Sequence, residues 1–175
     1  MRNNSPYIIP FKGLKEGLHE FRYRAGGELF TDYPAADVLH ADLDIRVEMI
    51  KKPRLLEMEF SITGFVEVVC DRCLDRYNHV IDTTGTLFFK FGEYTHEETS
   101  EIIVLKEEEY QVDIMHYIYE FSMLALPVKK IHPRKEDNSS GCNTEMEKIL
   151  EQHSVQNTKN TDPRWNALKN INNEN

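Results

Sequence analysis

The feature that most constrains this chain is a side-chain parity that survives a turn. From Leu56 onward the apolar residues Leu56, Met58, Phe60, Ile62, Val66 and Val68 keep to even positions, against Glu57, Glu59, Ser61, Thr63 and Glu67 on odd ones. Beyond a short polar stretch, Tyr77, Ile81, Leu87, Phe89 and Phe91 keep to odd positions opposite Asp82, Thr84, Thr86 and Lys90. A period of two marks a strand with one buried face. Two such runs joined by a short turn predict a long antiparallel hairpin. Gly64 stands on the even face where a side chain is expected, which predicts a bend or a bulge. Cys70 continues the even face, so residues 70–76 form the hairpin tip.

Other segments fit around that hairpin. Leu43, Ile45, Val47 and Met49 alternate with Asp42, Asp44, Arg46 and Glu48 until Pro53 ends the run. Phe21 and Tyr23 alternate with Arg22 and Arg24 inside a Gly-punctuated stretch, 7–30, that predicts one or two strands. Residues 102–105 are a short unbroken apolar run and read as a covered strand. The period then changes: Ile114, Tyr117, Ile118, Phe121, Leu124 and Ala125 recur every three or four residues, with Asp113 placed to cap the first turn and Pro127 to stop the last. That helix lays its apolar stripe on the sheet. Residues 129–143 read as a loop and 145–156 as a short helix. The expected fold is α+β: an antiparallel β-rich domain over 1–143 with a long hairpin and one packed helix, then a partly irregular C-terminal region over 144–175 made of a short helix and a flexible, Asn-rich tail.

Composition narrows the function classes. The chain is 40% hydrophobic and 10% aromatic, enough for a core, and it holds no run near the ~20 apolar residues of a membrane span. No apolar signal core follows Met1-Arg2-Asn3-Asn4, so the protein reads as cytoplasmic. A formal charge of −9 taken whole argues against nucleic acid, but nine acids and one base between residues 92 and 120 account for −8 of it. The remainder is nearly neutral and carries a basic run of Lys129, Lys130, Arg134 and Lys135 beside His132. Both runs also suit plain solvated surface.

The chemistry lies in the cysteines. Cys70-Asp71-Arg72-Cys73 places two thiols in the hairpin turn, the common half of a tetrahedral zinc site. His132 and Cys142, in the loop beyond the helix, complete a Cys3His set that would staple that loop to the hairpin tip, with the nearer histidines His79 and His96 as substitutes. Such a zinc is structural. The competing reading is three ordinary thiols, Cys70 being a small buried hydrophobe. A thioredoxin-like redox motif needs a strand-to-helix junction, whereas this one joins two strands. No Gly-rich phosphate loop, Gly-x-Ser-x-Gly or His-Glu-x-x-His occurs, and His40 and His116 stand alone, so no enzyme is expected.

The stretch Val69-Cys70-Asp71-Arg72-Cys73-Leu74 resembles the Cys-x-Arg-Cys-Leu signature of the YceD family, the large ribosomal RNA subunit accumulation proteins of bacteria and plastids. So do the acidic stretch before Val112-Asp113-Ile114, the helix running into Leu124-Ala125-Leu126-Pro127-Val128, the trailing His132 and Cys142, and a closing Asp162-Pro163-Arg164-Trp165-Asn166-Ala167-Leu168. The resemblance implies a non-enzymatic role in synthesis, processing or stability of large-subunit ribosomal RNA, hence in ribosome assembly. Expected RNA contacts are Arg72, Lys129, Lys130, Arg134 and Lys135, with Arg164, Trp165 and Lys169 in the tail. Trp165 either stacks on an unpaired base or anchors the tail. The alternative is a protein-binding adaptor whose acidic 92–109 strip, Glu107, Glu108 and Glu109 above all, docks a basic ribosomal protein or assembly factor.

Overall fold

The computed structural model describes residues 5–31 and 37–154. Its elements are β1 (Ile8–Ile9), β2 (Gly17–Gly26), a 3-10 turn (Gly27–Phe30), β3 (Val38–Lys52), β4 (Leu55–Val69), β5 (Arg76–Gly92), β6 (His96–Thr99), β7 (Ile102–Lys106), β8 (Val112–Asp113), α1 (Met115–Leu124) and α2 (Thr144–His153). Among the described residues, six strands form one sheet in the order β2-β3-β4-β5-β7-β6, while β1 and β8 pair as a short ribbon. Every pairing is antiparallel except that of β5 with β7. The fold is α+β, and no helix among the described residues is long and apolar enough to cross a membrane.

The parity of the hairpin holds along its whole length. Leu56, Met58, Phe60, Ile62, Val66 and Val68 are buried on β4, Cys70 just beyond it, and Tyr77, Ile81, Leu87 and Phe89 on β5. With Leu43, Ile45, Val47 and Met49 of β3 they line one face of the sheet, while the charged positions between them face outward. Burying each such side chain is worth about 1.5–3 kcal/mol. The inner face is covered by α1, by the 3-10 turn and by the β1 segment, whose Tyr7, Ile9 and Phe11 are buried with it. Phe121 of α1 sits on Phe60 with ring centroids 5.3 Å apart, and Tyr117 meets Phe89 edge-on at 5.6 Å. Gly85 makes that seat: a Cβ there would lie 2.3 Å from the Phe121 ring.

Several expectations change in detail. Gly64 interrupts nothing, because it pairs in unbroken register with Leu43 on one side and Ile81 on the other. Its need for glycine comes from a φ of +141° and from the Asp42 carbonyl oxygen, which a Cβ would approach to 2.1 Å. The one irregularity between β3 and β4 lies instead at Val38 and His40. On α1 the apolar stripe is displaced by one position: Leu124 is exposed and Ser122 is buried, its hydroxyl donating to the Ile118 carbonyl at 2.7 Å. Met123, Ala125 and Leu126 still pack against the core at this end, so Leu124 faces away from it. Asp113 belongs to β8, one residue before the helix cap, yet its carboxylate accepts the Met115 N–H at 2.9 Å.

Candidate metal centre

Cys70 closes β4 and begins a turn that folds back on itself. Its N–H donates to the Asp75 carbonyl at 2.9 Å, and its own carbonyl accepts from Leu74 at 3.0 Å. Leu74 completes the turn at φ +64°, in the left-handed region non-glycine residues seldom occupy. The loop beyond α1 returns to this tip through a reciprocal clamp. The Asp71 N–H donates to the Lys130 carbonyl at 2.7 Å, and the Lys130 N–H donates to the Asp71 carboxylate at 2.6 Å. Further along, the Asn143 amide donates to Asp75 at 3.0 Å while its oxygen accepts from Glu145 and Met146, capping α2.

Those backbone ties bring four side chains to one point. The ligand atoms of Cys70, Cys73, His132 and Cys142 all lie within 4.8 Å of one another. Cys70 Sγ and Cys142 Sγ are 3.8 Å apart, and Cys73 Sγ is 3.3 Å from His132 Nδ1. Tetrahedral zinc with Zn–S near 2.3 Å and Zn–N near 2.05 Å calls for S···S of about 3.8 Å and S···N of about 3.5 Å. The donor set and spacing therefore fit a thiophilic tetrahedral ion. All three thiols are buried, so no large rearrangement is needed to exclude water.

The electrostatics favour a thiolate here. Burial opposes ionisation of Cys70, but the N–H donors of Cys73, Arg72 and His132 and the His132 ring outweigh it, and its thiol is lowered to about 6. The Arg72 N–H reaches that sulfur at 3.4 Å. Burial raises Cys142, and the nearby sulfurs of Cys70 and Cys73 add to the rise against a hydrogen bond from Ser140. Ionising Cys70 thus opposes ionisation of Cys142, and a cation bound among the sulfurs would relieve that repulsion. Tyr77 stacks on His132 with centroids 4.7 Å apart and planes tilted 35°. Its hydroxyl is buried without a hydrogen-bond partner.

The substitutes for His132 are excluded by position. His79 lies against Tyr77 on β5 without joining the four ligand atoms, and His96, on β6, meets the Tyr94 carbonyl at 3.1 Å. His40 packs on Phe65, and His116 pairs with Glu120.

The expected RNA contacts fare differently from one another. Arg72 pairs with Glu147 at 3.2 Å, Lys130 with Asp37 at 3.6 Å, and Arg134 donates to the Asn138 side chain at 3.2 Å. Lys129 and Lys135 are exposed. Arg72 and Arg134 share a cavity of about 350 Å³ with His132. Arg164, Trp165 and Lys169 lie outside the described residues. Glu107, Glu108 and Glu109 lie at the other end of the sheet, where the Glu107 N–H donates to Gly92, the last residue of β5. Glu107 and Glu109 there line a cavity with Lys12, Lys51, Lys52 and Arg54. That basic set, Tyr77 and the Asp71 clamp went unread in the sequence. Only the Lys-Lys-Pro-Arg turn carried a local signal.

The model of a family described as large ribosomal RNA subunit accumulation protein YceD matches residues 58–172. No curated protein and no solved structure matches the chain.

Proposed function

Because the chain belongs to the YceD family of large ribosomal RNA subunit accumulation proteins, we propose that it is a non-enzymatic factor in the synthesis, processing or stability of large-subunit ribosomal RNA. It acts in the cytoplasm during ribosome assembly by binding RNA or a ribosomal precursor. The observation that carries this reading is the match itself, which spans all four residues of the Cys/His cluster. Cys70, Cys73, His132 and Cys142 hold a structural zinc. When bound, the ion supplies a cross-link between the hairpin tip and the 129–143 loop. The protein's own groups do the rest: the Asp71–Lys130 clamp sets the loop against the tip, and Tyr77 fixes the His132 ring.

The basic side chains Arg72, Lys129, Lys130, Arg134 and Lys135 belong to that tip and loop and form the RNA-facing end. Ultraviolet crosslinking in cells, followed by sequencing of the attached RNA, is expected to enrich large-subunit ribosomal RNA. Reversing Lys129, Lys130, Arg134 and Lys135 to Glu abolishes the crosslinks, and an unchanged map rejects the RNA contact. An alternative reading is favoured by the position of the acids: Glu107, Glu108 and Glu109 stand at the opposite end of the sheet and enter no ion pair among the described residues. In that reading the chain is an adaptor whose acidic 92–109 strip docks a basic ribosomal protein or assembly factor, and RNA is not touched.

A further inference from the structure

The cavity beside the Cys/His cluster has a composition of its own. It measures about 350 Å³ and is lined by Arg72, Ile131, His132, Arg134, Asn138 and Ser140, two guanidinium groups and no carboxylate. His132 turns Nδ1 toward Cys73, which leaves Nε2 as its free edge. No residue among those described accepts a hydrogen bond from Nε2. A metal-bound histidine ordinarily donates its second N–H to a carboxylate, a carbonyl or water, and that partner fixes the ring. Among the described residues no protein group fills the role, and the ring lines a cavity with two arginines.

Both arginines are braced, Arg72 by a carboxylate outside the lining and Arg134 by the lining residue Asn138. Arg72 is held by Glu147 at 3.2 Å, and the Ser140 hydroxyl donates to the same carboxylate oxygen at 2.6 Å. Arg134 donates to the Asn138 side chain at 3.2 Å. Each contact uses part of a five-donor fork and leaves the remainder free. Planar forks meeting over one cavity suit the tetrahedral oxygens of a phosphate, which accept bidentate bonds and carry the compensating charge. Arg134 and Asn138 are exposed, so the cavity is open to solvent. Lys129 and Lys135, also exposed, flank it in the same loop.

We propose that the cavity between Arg72, His132 and Arg134 seats a backbone phosphodiester of single-stranded RNA, with His132 Nε2–H as a donor to it. This rests on the ribosomal RNA reading and gives that reading an atomic contact. The metal centre and the RNA site then share one imidazole, Nδ1 toward the ion and Nε2–H toward the phosphate.

The test uses the full-length, zinc-loaded protein and a fluorescently labelled single-stranded RNA of about twelve nucleotides, a length within the usual site size of such binders. Anisotropy is followed across a salt series. Arg134→Ala, an exposed change that removes no core contact, is expected to weaken binding roughly tenfold, the scale of one charge-assisted hydrogen bond. It should also lower the log–log salt slope by about 0.7, one single-strand phosphate contact. His132→Cys keeps four metal ligands but removes Nε2–H. It should retain one metal per chain and still bind RNA several-fold more weakly. In the wild type the His132 Nε2 resonance should move on adding the RNA and not with inorganic phosphate alone. If inorganic phosphate moves it and RNA does not, the seat is not for a nucleic-acid backbone. Tight RNA binding by the wild type with Arg134→Ala and His132→Cys unaffected overturns the seat and leaves the ribosomal RNA reading standing. A wild type that binds no RNA rejects the RNA contact of that reading as well.

Discussion

The two ends of the β4–β5 hairpin both gather charged side chains and use them in opposite ways. At the tip, residues 59 to 72 positions away in sequence return to meet Cys70 and Cys73. The charges nearby are held by named partners: Asp71 clamps the Lys130 backbone, Arg72 meets Glu147, and Asn143 meets Asp75. At the far end the Lys51 amine is spent on the Phe11, Lys12 and Leu14 carbonyls. Around it Lys12, Arg54, Glu107 and Glu109 line a cavity of about 260 Å³ without pairing across it. Density of charge therefore does not locate chemistry in this molecule. Convergence on a shared set of soft ligands does.

The sharpest way to break that comparison is to remove the metal. Dedicated zinc-finger peptides draw about 10–16 kcal/mol from their ion. Here the sheet has its own core, so chelation or Cys73→Ser is expected to open the tip and its returning loop locally while the sheet stays folded. Hydrogen exchange should show the change at the tip only: the Asp71 and Lys130 N–H groups lose protection, while residues around Lys51 keep theirs. Equal loss at both ends would mean that the cluster supports the whole fold. Phe60→Ala is the complementary case. It empties the seat under Phe121 and costs about 3–5 kcal/mol, and because that site lies in the shared core, both ends lose protection together.

The same contrast explains what the sequence could reveal. Strand parity from Leu43 to Phe89 was readable because a one-residue slip would turn every apolar side chain to solvent. The ligand set was readable because a Cys-x-x-Cys turn needs two more soft donors and the loop after α1 offered His132 and Cys142. β6 was not, since His96, Glu97, Glu98 and Thr99 are all exposed and give no alternation to detect. The parallel pairing of β5 with β7 depends on that hidden strand carrying the chain back. Gly64 was noticed for the wrong reason, because its clash is with Asp42 on a neighbouring strand. Leu124 obeyed the helical period but faces solvent, while Ser122 takes the buried place and Met123, Ala125 and Leu126 pack on the core. Local pattern reports that a helix has an apolar face; it does not report which rotation about the axis the opposing surface selects.

A smaller effect separates core from tip by pH. Burial, with Glu97 and Glu120 nearby, pushes Tyr117 up from 10.0 to about 12. In the unfolded chain the phenol ionises near its ordinary value, so between pH 10 and pH 12 the native state holds a proton that the unfolded state has lost. Stability from this group is complete below pH 10 and disappears as pH rises through 12. Denaturant titrations across that window should show the fall, and Tyr117→Phe should remove its share of the slope. A slope that persists unchanged assigns the effect to other tyrosines. The metal content should not differ between the two proteins, because Tyr117 packs on Phe89, away from the cluster.

The smallest effect on folding is expected where the charge is densest. Glu107→Gln, Glu108→Gln and Glu109→Gln together should change stability by less than about 0.5 kcal/mol, the usual range for surface changes without a structural partner. Any shift should be toward greater stability, since adjacent like charges repel, and it should shrink as salt screens them. A large loss would show that these carboxylates pair across the cavity with Lys12 and Arg54 in solution, which would make the far end as organised as the tip. Binding reads the same variant independently. If the acids dock a basic ribosomal protein, its co-purification falls in the triple variant. If co-purification and the RNA crosslinks at the tip both persist, the acidic strip is solvated surface and function resides at one end of the hairpin.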